Sequence, residues 1–168
     1  RRVLFRSINI TNEDSEIKDF CKYFINKYIP YAKIRSYTRK PENQNLESIR
    51  FNSSTFIRFL IHCGYKRDVN APQKTIPEKL LLGNKENIAM LIRGLFDTDG
   101  YSSYQYNQKQ NRYSCNISLS SSSYELITSV RRILLNFGIL TSLQQKLKAG
   151  KSKICGVECN HGNSWDLR

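Results

Sequence analysis

Residues 88–103 constrain this chain most: an apolar stretch, Ile-Ala-Met-Leu-Ile-Arg-Gly-Leu-Phe, runs directly into Asp-Thr-Asp-Gly-Tyr-Ser-Ser. Ile88, Leu91, Ile92, Leu95 and Phe96 recur at three- and four-residue spacing, which predicts a helix with one apolar stripe. Asn84 is its candidate N-cap, and Glu86 falls in the first turn, where the helix dipole favours an acid. The far end runs against that pattern. Asp97 and Asp99 face the negative pole, at a cost of about 0.3 kcal/mol or more. An apolar helix closed by an unfavourable acid pair points to a cation at its tip. The alternative is an ordinary buried helix with an acidic last turn. Gly94, about 1 kcal/mol worse than Ala in mid-helix, predicts close approach by a second helix. Gly100 is expected to turn the chain out, with a strand from Tyr101.

Ile92-Arg93-Gly94-Leu95-Phe96-Asp97-Thr98-Asp99-Gly100 resembles the signature of LAGLIDADG homing endonucleases, in the variant with two aspartates around one residue (DOD-type). Gly94, Leu95, Asp97, Asp99 and Gly100 match it directly. Ile92 and Phe96 are apolar substitutions. Arg93 departs from the small residue of the pattern and is therefore expected to point away from the helix pair.

The totals agree with a polyanion partner. Lys and Arg number 27 against 14 Asp and Glu, a formal charge of +13, and nucleic acid is the default partner of such an excess. No apolar run approaches the ~18 residues of a membrane-spanning helix. Cys21, Cys63, Cys115, Cys155 and Cys159 are odd in number and scattered, so reduced, buried thiols in an intracellular, non-secreted protein are expected. Cys155, Cys159 and His161 match no standard zinc spacing. Residues 1–7 resemble the translation of a sequencing-adapter oligonucleotide, and the sole methionine is Met90. Those residues are set aside as a non-native scar, and the rest is read as a fragment.

Along the chain, periodicity predicts a strand over 7–11 and a helix carrying Ile17, Phe20, Cys21, Phe24, Ile25 and Tyr28. Strands over 32–39 and 46–52 then flank a turn at 40–45. Ser53 caps a helix over 55–63 that ends at Gly64. A basic connector, 65–77, leads to the motif helix. Beyond it lie a hairpin of strands 101–107 and 113–119, a helix carrying Leu126, Ile127, Val130, Ile133, Leu134 and Phe137, and Gly138 as its stop. Strands are expected over 139–148 and 153–158, with a turn at 149–152.

The order repeats. A shift of 109 carries Ile8 onto Ile117, Ile10 onto Leu119, Ile17 onto Leu126, Ile25 onto Leu134 and Tyr28 onto Phe137. The same shift puts a first motif ahead of residue 1 and the counterpart of Lys74 beyond residue 168. The expected organisation is therefore the end of a first repeat plus connector over 8–78, and a second repeat, truncated at its C-terminal end, over 79–168. The resemblance implies the matching α+β fold: tandem α-β-β-α-β-β-α repeats, antiparallel DNA-binding sheets, and motif helices paired through Leu91, Gly94, Leu95 and Gly100. A full-length chain would be a monomer with two internal repeats.

The resemblance also implies the chemistry. Phosphodiester hydrolysis needs charge stabilisation and an activated water, which divalent ions supply. Mg2+ (or Mn2+) suits one or two carboxylates. Asp99 is then the metal-binding carboxylate, the Thr98 carbonyl a co-ligand, and Asp97 a residue that shapes the helix end. Lys74, in an intein-like Lys-x-Ile-Pro, is the first choice for the basic residue near the attacking water, with Lys66 second. Solvated connector lysines or phosphate contacts are the alternative for both.

Double-stranded DNA would be read from the sheets. Lys33, Arg35, Tyr37 and Arg39 share one strand face; Ser114, Asn116 and Ser118 another; Gln144, Lys146 and Lys148 a third. Ser, Asn and Gln bond base edges, while Lys and Arg hold phosphates or guanines. Tyr104 and Tyr106 either join that surface or pack. The expected function is a site-specific, metal-dependent homing endonuclease encoded in an intron or an intein, inactive as these residues alone. An RNA maturase or a non-cleaving DNA-binding regulator is the alternative.

Overall fold

The structure is a computed structural model that describes residues 7–38, 47–67, 69–154 and 157–168. The chain divides into two compact units, Arg1–Tyr65 and Lys66–Arg168. The connector predicted over 65–77 thus falls almost wholly in the second unit.

In the first unit, β1 (Ser7–Asn12), α1 (Ser15–Tyr28), β2 (Arg35–Thr38), β3 (Glu47–Asn52) and α2 (Ser54–His62) follow one another. Ser7, set aside with the scar, is a paired member of β1, opposite Asn52. Helix α1 starts because the Asp14 carboxylate accepts from the Glu16 and Ile17 amides at 2.8 and 3.3 Å. It stops one residue short of Pro30, which has no amide hydrogen to continue the ladder. The Ser53 hydroxyl caps α2 at the Phe56 amide, 3.1 Å away. Gly64, with φ +99°, turns the chain out of that helix. The strands pair antiparallel in the order β1-β3-β2. Ile8 and Ile10 lie opposite Phe51 and Ile49, so the apolar positions of both strands share the face that packs on Ile25 and Phe24. Each buried Ile or Phe contributes about 1.5–3 kcal/mol. Burial also pushes the Cys21 thiol pKa up.

The second unit holds a short 3-10 turn (Ala71–Gln73), α3 (Glu78–Leu81), α4 (Lys85–Asp99), β4 (Gly100–Asn107), β5 (Arg112–Ser121), α5 (Tyr124–Asn136), β6 (Leu143–Leu147), β7 (Gly150–Ile154), β8 (Val157–His161) and β9 (Ser164–Leu167). Its main sheet runs β4-β5-β9-β6, entirely antiparallel, with β7 and β8 as a separate hairpin. Leu126, Ile127, Val130, Ile133 and Leu134 form the buried stripe of α5. With Ile76, Ile92, Leu119 and Leu167 they make one core. Gly138, φ +80°, ends α5 as expected.

The same arrangement recurs in both units. A shift of 109 carries the N-cap Asp14 onto the N-cap Ser123 and α1 onto α5. Within each sheet a later strand inserts between two earlier ones, β3 between β1 and β2, β9 between β5 and β6. Ile10 faces Ile49 as Leu119 faces Leu167.

Several expectations fail in detail. The strand predicted over 139–148 is confined to Leu143–Leu147, and the turn predicted at 149–152 is largely strand β7. The strand predicted over 153–158 is instead two strands of a hairpin. β9, which completes the sheet, was not foreseen. In the first unit the strand begins at Arg35 rather than at residue 32. Cys115, expected to be buried, is exposed; Cys155 lies outside the described residues.

Candidate functional site

Helix α4 ends in the acids. Its start is fixed by the Asn84 side chain, which accepts from the Asn87 amide at 2.9 Å. Ile92 is buried, and Ile88, Leu91, Leu95 and Phe96 pack on the second-unit core, so the apolar stripe is spent inside that unit. Leu91 and Leu95, expected in a helix pair, therefore face their own core. Met90, Arg93, Gly94 and Asp97 form the exposed side of the helix. A Cβ at Gly94 would meet nothing within 4 Å among the described residues, so the close approach expected there is not made by them.

The two aspartates differ. Asp97 pairs with Arg93 one turn back, Nε to Oδ2 at 3.4 Å, both side chains more than half exposed. Such a pair is worth at most about 0.5 kcal/mol. Asp99, the last residue of α4, is exposed and makes no ion pair among the described residues. The Thr98 hydroxyl bonds back to the Gly94 and Leu95 carbonyls at 3.0 and 3.3 Å, anchoring the last turn. Gly100 follows with φ −78° and ψ 158°, ordinary extended backbone, and its amide reaches the Phe96 carbonyl. A left-handed turn is therefore not what requires glycine here. A Cβ at residue 100 would stand 2.3 Å from the Phe96 carbonyl oxygen, so it is the close approach that excludes a side chain.

The donor chemistry fits a hard cation. Asp99 and the helix-end carbonyls offer only oxygen, which suits Mg2+ with most of its waters retained. No three His, Cys, Asp or Glu come together among the described residues. Among the described residues the helix tip thus offers Asp99 rather than a complete cage.

The Lys-x-Ile-Pro segment is anchored by its backbone and its apolar residue. Ile76 is buried in the second-unit core, and the Lys74 carbonyl accepts from the Ser123 hydroxyl at 2.6 Å. Gly100 lies opposite Leu119, four residues before Ser123, so Asp99 and Lys74 belong to the same end of the sheet. The Lys74 and Lys66 side chains are exposed.

The polar faces of the sheets collect most of the candidate DNA contacts. In the second unit, register and alternation put Ser103, Gln105, Ser114, Asn116, Ser118, Ser120, Gln144 and Asp166 on the face away from Leu119 and Leu167. Lys146 reaches the same face, its Nζ 3.3 Å from the Ser120 hydroxyl; Lys148 lies beyond β6 and is exposed. Tyr104 and Tyr106 fall on the opposite face, where Tyr113 stacks against Tyr104 at 4.9 Å and lies 5.0 Å from Tyr106. In the first unit, Arg35 lies beside Arg50, with Asn9 on its far side, and Tyr37 beside Ser48, with Thr11 on its far side. The Tyr37 hydroxyl donates to Asn9 Oδ1 at 3.2 Å. Lys33 precedes β2 and is exposed; Arg39 lies outside the described residues. Sequence reading missed Arg50, although it alternates with Ile49 and Phe51. It also missed Asp166 and Arg168, because the Ser-Trp-Asp-Leu strand is too short to announce itself.

Residues 86–162 match the LAGLIDADG-like domain. The matched stretch holds the Asp-x-Asp-Gly helix end and the antiparallel strands that follow it, so this part of the chain is a LAGLIDADG-like domain. Among curated proteins it is similar to the ribonucleoside-diphosphate reductase NrdEB subunit alpha of Bacillus subtilis (31% identity over 130 residues, 72% of this chain and 11% of that protein). It is also similar to the ATP-dependent DNA helicase Hel308 of Thermococcus kodakarensis (27% over 142 residues, 83% of this chain and 12% of that protein). The chain thus spans roughly a tenth of the length of these relatives. Among solved structures, the homing endonuclease I-DmoI in complex with DNA and calcium superposes with a TM-score of 0.60 at 14% identity, covering 96% of this chain and 66% of that one. A variant of I-DmoI with its target DNA and magnesium gives 0.58, covering 96% and 71%. These likenesses establish the fold.

Proposed function

We propose that the chain recognises double-stranded DNA site-specifically as part of a metal-dependent homing endonuclease, with Asp99 as its metal-binding carboxylate. The observation that carries this reading is the junction of α4 and β4. An exposed acid ends the helix, and the next residue begins a sheet whose outer face is mostly Ser, Asn and Gln. Pure binding has no use for an acid at that place, since it repels phosphate.

Asp99 and the Thr98 carbonyl would hold Mg2+ or Mn2+, which when bound neutralises charge on the phosphate and acidifies a water. Asp97, tied to Arg93, shapes the helix end. Lys74 is the chain's candidate for holding a proton at the attacking water. Arg35, Tyr37, Ser114, Asn116, Gln144, Lys146 and Lys148 position the duplex, the cations on phosphates and the polar groups on base edges. The recurring strand-helix-strand order favours a monomer built from two repeats over a homodimer.

An intein is the favoured origin. The two curated relatives are named for unlike activities, a reductase and a helicase, and each resembles this chain over only about a tenth of its length. A mobile element translated inside its host accounts for that pattern.

Selection from a randomised duplex library in Mg2+, with wild type and Asp99→Ala, tests the proposal. Wild type should enrich a defined sequence with Mg2+-dependent affinity and, carrying one acid motif, leave it uncut. Asp99→Ala should enrich the same sequence without the Mg2+ dependence. No enrichment by wild type, or Mg2+ dependence unchanged in the variant, overturns it.

A further inference from the structure

The sheet carries a charged group that DNA contact does not itself require. Asp166 is only 3% exposed, in the middle of β9 and flanked by β5 and β6. A buried carboxylate costs several kcal/mol unless it is paired and hydrogen-bonded. Both of its oxygens are occupied. Oδ1 accepts from the Ser120 hydroxyl at 2.8 Å, and Oδ2 accepts from Arg168 Nε at 2.8 Å. Burial pushes the Asp166 pKa up, but the bonds from Arg168 and Ser120 and the charges of Arg168 and Lys146 outweigh it. The net shift is downward, so the group stays ionised.

The arrangement also fixes Arg168. Its backbone amide donates to the Ser142 carbonyl at 2.9 Å, and its carbonyl accepts from the Ser142 amide at 2.7 Å. Its side chain remains 55% exposed and, among the described residues, is held through Nε. An arginine gripped at Nε keeps its Nη1 and Nη2 edge for another acceptor pair, with part of its rotamer entropy already lost. Two coplanar donors of that spacing match O6 and N7 of guanine in the major groove. Lys146 Nζ, 3.3 Å from Ser120 Oγ, is a second cation held on the same network.

We propose that Asp166 is a positioning residue that aims Arg168 at a guanine in the bound duplex, making Arg168 a specificity-determining residue. This rests on the DNA-binding reading above and names part of what that face reads. Neither residue was singled out by the sequence pattern.

The test is base preference, read by sequencing duplexes selected from a randomised library by wild type, Asp166→Asn and Arg168→Lys. Wild type should prefer guanine at one position on the order of tenfold or more. Arg168→Lys should lose that preference at that position alone, because a single ammonium cannot replace the planar fork. Asp166→Asn should weaken the same preference while leaving the salt slope of overall binding in place. Thermal melts report whether each variant folds. If Asp166→Asn does not, Arg168→Lys, altered at an exposed side chain, still decides. Uniform loss at every position, or guanine preference intact in Arg168→Lys, overturns the assignment while leaving DNA recognition standing. Wild type binding no duplex would remove both.

Discussion

The Ser123 hydroxyl donates to the Lys74 carbonyl at 2.6 Å while accepting from the Leu126 amide at 3.1 Å. One fully buried side chain therefore starts α5 and fastens the connector that precedes the motif helix. Ser123→Ala removes both bonds and should cost about 1–3 kcal/mol in urea unfolding. Ser123→Asp retains the cap but cannot donate to the carbonyl, so it should recover only part of that loss. Ser123→Asp as stable as wild type would show that the connector bond contributes nothing.

The two motif glycines should respond oppositely to alanine. At Gly94 a Cβ meets nothing within 4 Å among the described residues, so Gly94→Ala should stabilise the isolated chain by about 0.5–1 kcal/mol through helix propensity. At Gly100 the same Cβ meets the Phe96 backbone at 2.3 Å, and Gly100→Ala should destabilise by about 1–3 kcal/mol. Thermal melts of the two variants measure both signs. Destabilisation at Gly94 would reveal a neighbour packed against that face in solution.

What could be read ahead of the structure follows the reach of each interaction. α1, α4 and α5 were legible because their apolar stripes and caps, Asp14, Asn84, Ser123, lie within a few residues of one another. The recurrence of α1 in α5 was legible for the same reason. β9 was not, since four residues of alternation carry little signal and its pairing partners lie 17 to 48 residues away. The motif names Asp99 and Lys74 as candidates, but nothing local announced that Leu91 and Leu95 would pack on their own core. Tyr104 and Tyr106 show another limit. Alternation says that they share a face, and only the register with Leu119 says which one.

Electrostatics at the helix end should separate the aspartates. Asp99→Asn removes an acid from the negative pole of α4 and should raise stability by about 0.3–1 kcal/mol in metal-free buffer. Asp97→Asn also gives up the Arg93 pair, so its gain should be smaller. Chemical denaturation at low ionic strength tests the order, and an Asp97→Asn gain that exceeds the Asp99→Asn gain would contradict it.

Acid should act partly through Asp166. Its folded pKa is lowered, so its stabilisation is fully present above the ordinary carboxylate value of about 3.9 and is lost as pH falls through the folded value. Wild type should therefore lose stability on acidification more steeply than Asp166→Asn, which has no such proton to take up. Parallel stability profiles for the two between about pH 5 and 3, roughly one unit either side of that value, would mean that the buried pair contributes no pH dependence.

If the polar sheet faces hold duplex DNA, the salt dependence of binding to a labelled duplex will report it. Wild type should bind at low salt with log affinity falling linearly against log salt concentration. Lys146→Ala and Arg35→Ala should each flatten that slope by about 0.9, one phosphate contact apiece. No binding by wild type at low salt, or a slope unchanged in both variants, would contradict the account.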